Sequence, residues 1–260
     1  MLGVYTLWWR EQVRFFRQGS RVFGAFAQPL IFWVLFGAGL QASFRPSTGG
    51  RDLSYLEYFF PGTIILILLF TAIFSTISVI EDRREGFLQG VLVAPVSRSA
   101  IVLGKVLGGT TLALVQGTVL LALSPWAGIH LTIRMFLAAV AVQFAVAFAL
   151  TALSFCIAWR MDSTQGFHAI MTVFLMPLWL LSGAFFPAHG APAWLAWVMR
   201  INPLTYGTAA LRRILYGADG ELPVDLPSLR ASLPAIAAFG LATFLLATLL
   251  ARRRTGGATG

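Results

Sequence analysis

Acidic side chains are scarce in this sequence. Its 260 residues include 10 Asp and Glu against 19 Lys and Arg, and charged residues make up only 11% of the chain. A soluble domain typically carries about 25%, so most of this chain is expected to contact lipid rather than water. The long apolar runs contain no Asp or Glu in their interiors. A proton- or sodium-coupled carrier usually needs an intramembrane carboxylate, and this absence argues against that class.

Cysteine and histidine are also scarce. Cys156 is the only cysteine, which excludes an internal disulfide, and its place inside an apolar run predicts a small buried side chain rather than a reactive thiol. The three histidines are far apart in the sequence, and neither an HExxH nor a CxxC motif occurs. We therefore predict no metal site in this chain. The histidines are His130, His168 and His189.

The sequence lacks the GxxxxGK[ST] loop that holds nucleotide phosphates in many ATPases. Gly104 and Lys105 are followed by Val106 and lie at the edge of an apolar run, so they do not supply one. No catalytic arrangement of residues is visible either. We expect a protein that is not an enzyme, with no catalytic residue and no bound cofactor.

Basic residues are more numerous but scattered. The formal net charge of +9 would suit nucleic acid binding if the charges formed one patch. They lie instead at the ends of apolar runs, where Lys and Arg set the topology and contact anionic headgroups. We expect membrane lipids, and no nucleic acid, among the partners.

Six apolar runs are long enough for a helix of about 20 residues to cross the hydrocarbon core. No alternating pattern typical of barrel strands appears, and unpaired backbone is too costly in lipid, so the runs are predicted to be helices. The predicted fold class is all-α integral membrane, with six transmembrane helices in a single domain over residues 1–260. The predicted spans are 22–40, 59–80, 106–124, 135–158, 167–186 and 233–251.

The distribution of Lys and Arg predicts the orientation. One side of the membrane receives 12 of the 19 and the other side seven, and the richer side is expected to be cytoplasmic. Four of the seven lie in one long loop, where this rule counts less. Both termini are therefore predicted to lie in the cytoplasm.

Residues 1–21 precede the first span and combine aromatic side chains with arginines three or four apart. That spacing places the arginines on one face of a helix. An amphipathic helix of this kind lies in the plane of the cytoplasmic leaflet, with aromatic residues as anchors. The alternative is an ordinary juxtamembrane stretch with no partner. The residues assigned to the interfacial helix are Trp8, Arg10, Arg14 and Arg17.

Residues 81–105 lie between the second and third spans and begin with a charge cluster. Gly86 is expected to interrupt the helix that continues from the second span, and apolar residues then recur at helical spacing. Pro95 ends this short helix, and Ser97 or Ser99 caps the next one. The short helix either inserts into a groove on another protein or lies on the bilayer, and the spacing leaves both open. The residues assigned to this docking site are Glu81, Arg84, Glu85, Gly86, Phe87, Leu88, Gln89, Leu92, Pro95 and Arg98.

Residues 187–232 form the longest stretch outside the spans and contain two short apolar runs. Two short helices that start and end on the outer side predict a re-entrant hairpin, whose non-helical tip is buried in protein or lines a cavity. The alternative is a pair of helices flat on the outer leaflet. Arg212 and Arg213 are expected to reach lipid headgroups rather than an anionic substrate. The residues assigned to an outer gate are Trp194, Asn202, Pro203, Tyr206 and Arg212.

Two sets of motifs point to a known family. After the second span the chain reads EDRREG at 81–86, Leu at 88, LVAPVSR at 92–98 and GK at 104–105. Before the sixth span it reads FFP at 185–187, PAWL at 192–195, NPLTY at 202–206 and LRR at 211–213. In order and spacing these residues resemble the signature of ABC-2-type permeases, the six-span membrane subunits of ATP-binding-cassette exporters. One departure is Gln89, where many family members carry Glu.

The resemblance implies a cytoplasmic coupling helix at about Gly86 to Ala94, which sits in a cleft of a separate ATP-binding subunit and carries its motion to the spans. It implies two copies of that ATPase subunit, where ATP and Mg bind. It also implies a second permease chain, with the transport path between the two chains. A homodimer is expected, with a heterodimer as the alternative, in the plasma membrane, which in a bacterium is the inner membrane.

The expected function is that of a permease subunit for the efflux of a hydrophobic or lipid-linked substrate. The aromatic residues of the spans indicate an apolar path, which suits a hydrophobic drug, a lipid or a lipid-linked glycan. Within the family the resemblance is closest to the multidrug and antibiotic-resistance branch, so a drug, an antibiotic or a lipid is expected. An exporter of polysaccharide or lipid-linked glycan is the alternative within the family. A carrier that works without an ATPase is the alternative from another class.

Overall fold

The computed structural model describes residues 2–40, 47–48, 51–52, 54–187, 191–216 and 227–253. Ten α-helices form most of this part, and the strands Ser47–Thr48 and Arg51–Asp52 pair antiparallel as a small ribbon. The 3₁₀ turn Ser124–Ala127 follows the fifth helix and the π turn Leu180–Ala184 follows the seventh. The helices are α1 (Leu2–Arg17), α2 (Gly19–Leu40), α3 (Tyr55–Arg84), α4 (Phe87–Val93), α5 (Arg98–Ala122), α6 (Ile133–Ala158), α7 (Thr164–Trp179), α8 (Ala193–Ile201), α9 (Pro203–Tyr216) and α10 (Leu229–Arg253).

Six of the helices are long and apolar enough to cross a membrane, and they coincide with the six predicted spans. They are α2, α3, α5, α6, α7 with its π turn, and α10. The 30 residues of α3 extend past the predicted 59–80 by four residues at each end, and α5 starts eight residues before the predicted 106. The end of the predicted loop, 98–105, belongs to α5. The prediction of a multi-pass helical membrane protein is confirmed, apart from the small ribbon.

α3 lies at the centre of the bundle. Every residue from Tyr58 to Ile73 is buried, as expected of a helix that is apolar all round. The helices α2, α5 and α6 make the most extensive contacts with it, and α7 and α9 add smaller ones. A capping box starts α3: Ser54 Oγ accepts from the Glu57 amide, and the Glu57 carboxylate accepts from the Ser54 amide.

α5 approaches both α3 and α6 closely at Gly109. A Cβ added to Gly109 would lie 2.5 Å from Ser75 Oγ of α3 and 2.7 Å from Thr151 Cγ2 of α6. Helix association in lipid depends on close packing, which small residues permit. A larger side chain at this position would push the three helices apart.

The described chain begins and ends at one end of the bundle, where α3 stops; we call it the inner end. Arg83 at the end of α3 binds carbonyl groups just beyond the end of α6. α10 runs parallel to α6, because Gly240 packs on Ala149, and further along Cys156 Sγ donates to the Thr243 carbonyl. α10 therefore also ends at the inner end, and α1 packs there beside α5. The opposite end, where α3 starts, is the outer end.

Candidate functional site

A kink, a short helix and a turn follow α3, in the order that the sequence predicts. Gly86 separates α3 from α4 with a φ of +76°, a left-handed conformation that favours glycine. Ala94 is extended before Pro95, as the residue before a proline usually is. The Ser97 side chain accepts a hydrogen bond from the Ala100 amide and so caps α5. These local features hold α4 between two long helices.

α4 has a buried side and an exposed side. Leu88 is only 4% exposed and packs into the core, whereas Val93 is 88% exposed. Leu88 therefore anchors α4 to the bundle and does not belong to the docking surface to which the sequence analysis assigned it. Leu92 and Arg98 are partly buried. The exposed surface, which we call the α4 face, consists of Arg84, Glu85, Phe87, Gln89, Gly90, Val93 and Pro95.

Behind the α4 face lies a group of buried charges centred on Asp82. Its carboxylate accepts hydrogen bonds from two nitrogens of Arg10, at 2.8 and 2.7 Å, and from Arg14 and Lys105. Lys105 Nζ also donates to Glu11 Oε1 at 2.5 Å. The side chains of Asp82, Lys105 and Glu11 are 0%, 3% and 5% exposed. These five residues, which we call the buried charge cluster, join α1, α3 and α5.

The charges of this cluster compensate one another. Its two carboxylates face three cations, and the third cation, Arg14, is balanced by Glu81 just outside the cluster. The Ser78 hydroxyl also donates to Glu11 Oε2 at 2.5 Å. Removing one partner of a buried ion pair typically costs about 3–5 kcal/mol, because the other charge is left unpaired in a low dielectric. Burial by itself lowers the pKa of Arg10, but the hydrogen bond and charge of Asp82, helped by Glu11 and Glu85, outweigh it and raise that pKa. Arg10 therefore stays charged at physiological pH.

Two contacts connect the buried charge cluster with the segment around α4. The guanidinium carbon of Arg10 lies 3.7 Å from the centre of the Phe87 ring, within the range of a cation–π contact. Arg14 donates to Glu81 Oε2 at 2.8 Å and lies 3.4 Å from Glu85 Oε1. Two of the arginines assigned to the interfacial helix, Arg10 and Arg14, thus point into the protein.

α1 lies against α5 through two glycines. A Cβ added to Gly108 would lie 2.7 Å from Glu11 Cβ, and one added to Gly104 would lie 2.9 Å from Leu7 Cβ. Gln12 Nε2 also donates to the Gly108 carbonyl at 2.9 Å. Four residues further along α1, the contact lies four residues further along α5. The two helices therefore run parallel and pack as a pair.

The opposite side of α1 carries exposed aromatic residues. Trp8, which the sequence analysis assigned to the interfacial helix, is partly buried, and its Nε1 donates to Thr111 Oγ1 at 3.0 Å. Arg17 is exposed. An aromatic stripe therefore does exist on α1, but Trp8 is not part of it. Its members are Tyr5, Trp9 and Phe16.

Arg83, at the inner end of α3, holds the chain segment that follows α6. Arg83 donates to the carbonyl oxygens of Trp159 and Met161, the latter at 2.9 Å, and lies 3.1 Å from Asp162 Oδ1. Carbonyl groups at the end of a helix lack intrahelical partners, and a cation is favourable there. Arg83 thus fixes the connection after α6 beside the end of α3.

At the outer end, side chains of α3 bind the carbonyl groups of the broken end of α7. Gly183 in the π turn has a φ of +75°. Tyr58 Oη donates to the Gly183 carbonyl and Tyr55 Oη to the Phe185 carbonyl, both at 3.0 Å. A helix that breaks at membrane depth requires such partners for its freed backbone groups.

The turn between α8 and α9 is fixed by Asn202. Its Nδ2 donates to the Leu178 carbonyl at 2.5 Å, and its Oδ1 accepts from the Leu204 amide at 3.0 Å. Pro203 is the first residue of α9, where its missing amide hydrogen costs nothing. The two predicted short helices are therefore present. Residues 188–190 and 217–226 of the predicted outer region lie outside the described residues.

α9 is buried, whereas α8 is partly exposed. A Cβ added to Gly207 would lie 2.9 Å from Val146 Cγ2, near the middle of α6. Tyr206 Oη donates to the Arg200 carbonyl at 2.8 Å and ties α9 to α8. Trp194 on α8 is exposed. The predicted gate residues are thus brought to one region, though Trp194 faces outward from it.

Arg212 does not reach the surface of the protein. It is 2% exposed, and its Nη2 donates to the carbonyls of Tyr58 and Gly183, both at 3.1 Å. Its guanidinium carbon also lies 4.1 Å from the centre of the Tyr58 ring. The prediction of a headgroup contact is wrong for Arg212, because α3 and the π turn each offer it a buried carbonyl acceptor. Arg213 is partly buried and donates to the Pro227 carbonyl at 2.7 Å.

Sequence reasoning missed Glu11 and Ser78 and gave no site role to Asp82 or Lys105. The sequence holds one signal for them, since Glu11 is the only acidic residue among positions 1–21. A single acidic residue on an arginine-rich helix indicates that Glu11 and the arginines beside it have charged partners inside the protein.

Comparison with known proteins agrees with this architecture. The family model of the ABC-2 type transporters matches residues 3–216. The putative transport permease ycf38 of Cyanophora paradoxa is 30% identical over 71% of this chain and 64% of its own length. The probable multidrug ABC transporter permease YbhR of Escherichia coli K12 is 29% identical over 75% of this chain and 53% of its own length. The daunorubicin resistance ABC transporter permease protein DrrB1 of Streptomyces coeruleorubidus is 24% identical over 84% of this chain and 76% of its own length.

The matched region covers between about half and two thirds of the ycf38 and YbhR proteins. The family match, by contrast, extends over most of this chain, from α1 through α9. The chain therefore belongs to the ABC-2 type transporter family, the membrane permeases of ABC transporters.

Proposed function

We propose that this chain is the permease subunit of an ABC exporter and forms the transmembrane path, while a separate ATPase subunit supplies the energy. The observation that carries the proposal is the α4 face, an exposed surface on a short helix backed by the buried charge cluster. Family membership implies association with an ABC ATPase subunit. The chain itself then needs no catalytic residue, and ATP and Mg bind in the partner.

The α4 face is the proposed contact with the ATPase. A short helix with an apolar side chain such as Val93 suits a groove on another protein. The exposed charges of Arg84 and Glu85 on the same surface favour a protein groove over the bilayer. Gln89 would offer the partner a neutral hydrogen bond where many family members present a carboxylate.

The buried charge cluster is the proposed link from the ATPase to the spans. Arg10 contacts Phe87 of α4 and Asp82 of α3, and Lys105 of α5 binds Asp82 and Glu11. Force on α4 therefore reaches two long helices and α1 through direct contacts. Arg83 extends the link to the connection after α6.

In this proposal the inner end is cytoplasmic, with both chain termini on that side. The excess of Lys and Arg on that side supports this orientation. Because α1 runs parallel to α5, it then lies beside that span in the cytoplasmic half of the membrane, with its exposed aromatic stripe in lipid. The proposed location is the plasma membrane, which in a bacterium is the inner membrane.

α8 and α9 are proposed to form a re-entrant outer hairpin with a gate at residues 202–206. Gly207 contacts Val146 near the middle of α6 and Ile65 of α3. Ile65 is ten residues from the start of α3 at Tyr55, a depth of about 15 Å along a helix. This depth favours a hairpin that enters the membrane over two helices lying flat on the leaflet.

Two permease chains, in a homodimer, and two ATPase subunits complete the proposed transporter; a heterodimer is the alternative. The proposed substrate is a hydrophobic drug, an antibiotic or a lipid. The relatives named for multidrug transport and daunorubicin resistance support this choice. Export of a polysaccharide or lipid-linked glycan is the second candidate.

Purification of the tagged permease in mild detergent tests the proposal. We expect a soluble ATPase to co-purify in a fixed ratio, and the reconstituted pair to move a fluorescent hydrophobic probe across liposomes only with ATP. A permease that purifies alone and moves the probe without ATP would overturn the proposal in favour of an independent carrier.

A further inference from the structure

A groove on the exposed side of α1 is lined by charged side chains of both signs. Its volume is about 660 Å³, within the range of about 300–1,000 Å³ that is typical of small-molecule pockets. Three arginines of α1 and one carboxylate at the end of α3 line it, next to the Trp9 ring. A ligand in this groove therefore meets both cationic and anionic groups. The charged residues are Arg10, Arg14, Arg17 and Glu85.

Two of these four charges lack a close partner. Arg10 and Arg14 are held by the buried carboxylate of Asp82. Arg17, by contrast, is exposed and forms no ion pair with a described residue. The Glu85 side chain is 59% exposed, and its one ion pair within the described part of the chain is a contact of 3.4 Å with Arg14. Arg17 and Glu85 are therefore the two groups that remain available to a ligand.

The two groups are separated along the membrane normal. Arg14 and Arg17 are three residues apart on one face of α1, so their Cβ atoms are about 5–6 Å apart, and Arg14 contacts Glu85. Because α1 runs parallel to α5, Arg17 lies deeper in the bundle than Arg14, whereas Glu85 lies at the inner end, where α3 stops. A ligand that contacts both groups must carry its anion deeper and its cation nearer the surface.

The position of the groove favours a lipid over a soluble ligand. The 30 residues of α3 form a helix of about 45 Å, whereas the hydrocarbon core is about 30 Å thick. Its charged end, residues 81–85, therefore extends to the level of the headgroups, which the long side chain of Arg17 also reaches. On the deeper side, Phe16 and Gly19 begin an apolar groove between α2 and α5. Charges at headgroup level beside an apolar groove match the two parts of a phospholipid.

We propose that this charged groove binds phosphatidylethanolamine, with the lipid phosphate on Arg17 and the lipid ammonium on Glu85. A guanidinium binds a phosphate with two parallel hydrogen bonds, and an ammonium donates to a carboxylate. In this headgroup one oxygen and two carbons separate the phosphorus from the nitrogen, and the phosphate is the deeper of the two groups. The Trp9 ring, which is 54% exposed, offers the ammonium an aromatic face in the same groove.

Other common headgroups fit the same charges less well. Phosphatidylglycerol has no ammonium, so Glu85 would face an anion without compensation. The nitrogen of phosphatidylcholine is methylated and cannot donate a hydrogen bond to Glu85. The groove should therefore select ethanolamine by its headgroup. This inference does not depend on the proposed function, because lipid binding requires neither ATP nor the ATPase.

Native mass spectrometry of the full chain in mild detergent tests the selection. Dioleoyl phosphatidylethanolamine, phosphatidylcholine and phosphatidylglycerol are titrated separately, so that only the headgroup differs. We expect the first ethanolamine lipid to bind roughly fivefold more tightly than either of the others, as for one partly exposed salt bridge. Soluble glycerophosphoethanolamine, which has the headgroup without the chains, should not displace the lipid at equal concentration.

Two variants separate the roles of the two charges. Arg17→Gln removes the phosphate contact and should weaken the binding of all three lipids. Glu85→Gln should weaken only the ethanolamine lipid and should strengthen phosphatidylglycerol, because the carboxylate no longer repels it. Arg160→Gln is the matched control, since Arg160 is also an exposed arginine at the inner end but lies after α6, outside the groove. It should bind all three lipids as the natural chain does.

Equal affinities of the natural chain for the three headgroups would overturn the inference. Unchanged affinities in Arg17→Gln, or an unchanged ethanolamine preference in Glu85→Gln, would do the same. The mass spectra also report the number of chains. An Arg17→Gln variant that changes from dimer to monomer with unaltered lipid affinity would assign the groove to a contact between chains. Displacement by glycerophosphoethanolamine at equal concentration would mean that the groove takes a soluble phosphoester instead of a lipid.

Discussion

Arg10 contacts Phe87 and Asp82 at the same time. Its guanidinium carbon lies 3.7 Å from the centre of the Phe87 ring, and two of its nitrogens bind the two oxygens of Asp82. A planar guanidinium can bind a carboxylate with two parallel hydrogen bonds while its face rests on an aromatic ring, which an ammonium group cannot do. This position therefore requires arginine, not merely a positive charge.

Arg10→Lys should consequently destabilise the permease although it keeps the charge. We expect a loss of about 1.5–3 kcal/mol, the range for hydrogen bonds to charged groups, measured by thermal unfolding in detergent. Arg17→Lys on the same helix is the matched control, since Arg17 is exposed. Equal midpoints for the two variants would contradict the role given to Arg10.

Lys105→Met should lower the free energy of unfolding by more than Arg10→Lys does. It removes the cation that binds both Asp82 and Glu11, and an unpaired buried charge typically costs about 3–5 kcal/mol. Thermal or denaturant unfolding measures the loss, and Arg84→Met at an exposed position is the control. Adding Glu11→Gln to Lys105→Met should restore part of the stability, because it removes one of the stranded charges. Additive losses in the double variant would show that Lys105 and Glu11 do not interact.

The elements around α4 could be predicted because their signals are local. A glycine at the kink, a proline after the short helix and a serine cap lie within a dozen residues of one another, and each restricts the backbone of its own neighbourhood. The six spans follow in the same way from the length of the apolar runs. Such features depend little on which helices become neighbours.

The buried charge cluster could not be predicted, because it depends on which helices pack together. Glu11 and Lys105 are 94 residues apart in the sequence, and Arg10 and Asp82 are 72 apart. Spacing along one helix therefore assigned Arg10 only to the arginine face of an interfacial helix. The prediction for Arg212 was wrong for a similar reason, since its acceptors are the Tyr58 carbonyl of α3 and the Gly183 carbonyl of a π turn that no periodicity in the sequence reveals.

Two neighbouring substitutions on α4 should have different effects. Val93→Asp changes an exposed residue, so the permease should fold normally but lose the co-purifying ATPase. Leu88→Asp places a charge in the core and should reduce the yield of folded permease itself. The elution profile measures folding of the permease, and the ratio of co-purified ATPase to permease measures docking, so the two measurements together separate the two effects. Trp126→Asp at the exposed outer end is the control and should keep the ATPase.

A Val93→Asp variant that keeps its ATPase in the normal ratio would exclude the α4 face as the docking surface. A Leu88→Asp variant with normal yield and stability would contradict the anchoring role of Leu88.

Arg212→Met should destabilise the outer end. The change removes two hydrogen bonds from a charged donor and leaves the carbonyls of Tyr58 and Gly183 without that partner, at about 1.5–3 kcal/mol for such bonds. Arg200→Met changes an exposed arginine of α8 and should cost less. Thermal midpoints of the two variants test the order. The reverse order would mean that the buried guanidinium does not hold the π turn.

Gly108→Ala tests whether α1 and α5 act as one pair. The added Cβ would lie 2.7 Å from Glu11 Cβ, an atom close to the α1 backbone that cannot rotate away, so α1 must shift. Overpacking of this kind typically costs about 1–3 kcal/mol, and the shift should weaken the bond between Glu11 and Lys105. Gly39→Ala is the control: it meets open space and should gain up to about 1 kcal/mol from helix propensity.

Thermal unfolding measures the cost of Gly108→Ala, and ATPase activity of the assembled complex measures its effect on the link. We expect the variant to bind the ATPase, because the α4 face is intact, but to show weaker stimulation by transported substrate. Stimulation equal to that of Gly39→Ala, despite a lower thermal midpoint, would mean that α1 stabilises the bundle without carrying force between α4 and α5. The link would then depend on the direct contacts of Asp82 with Lys105, which Lys105→Met removes.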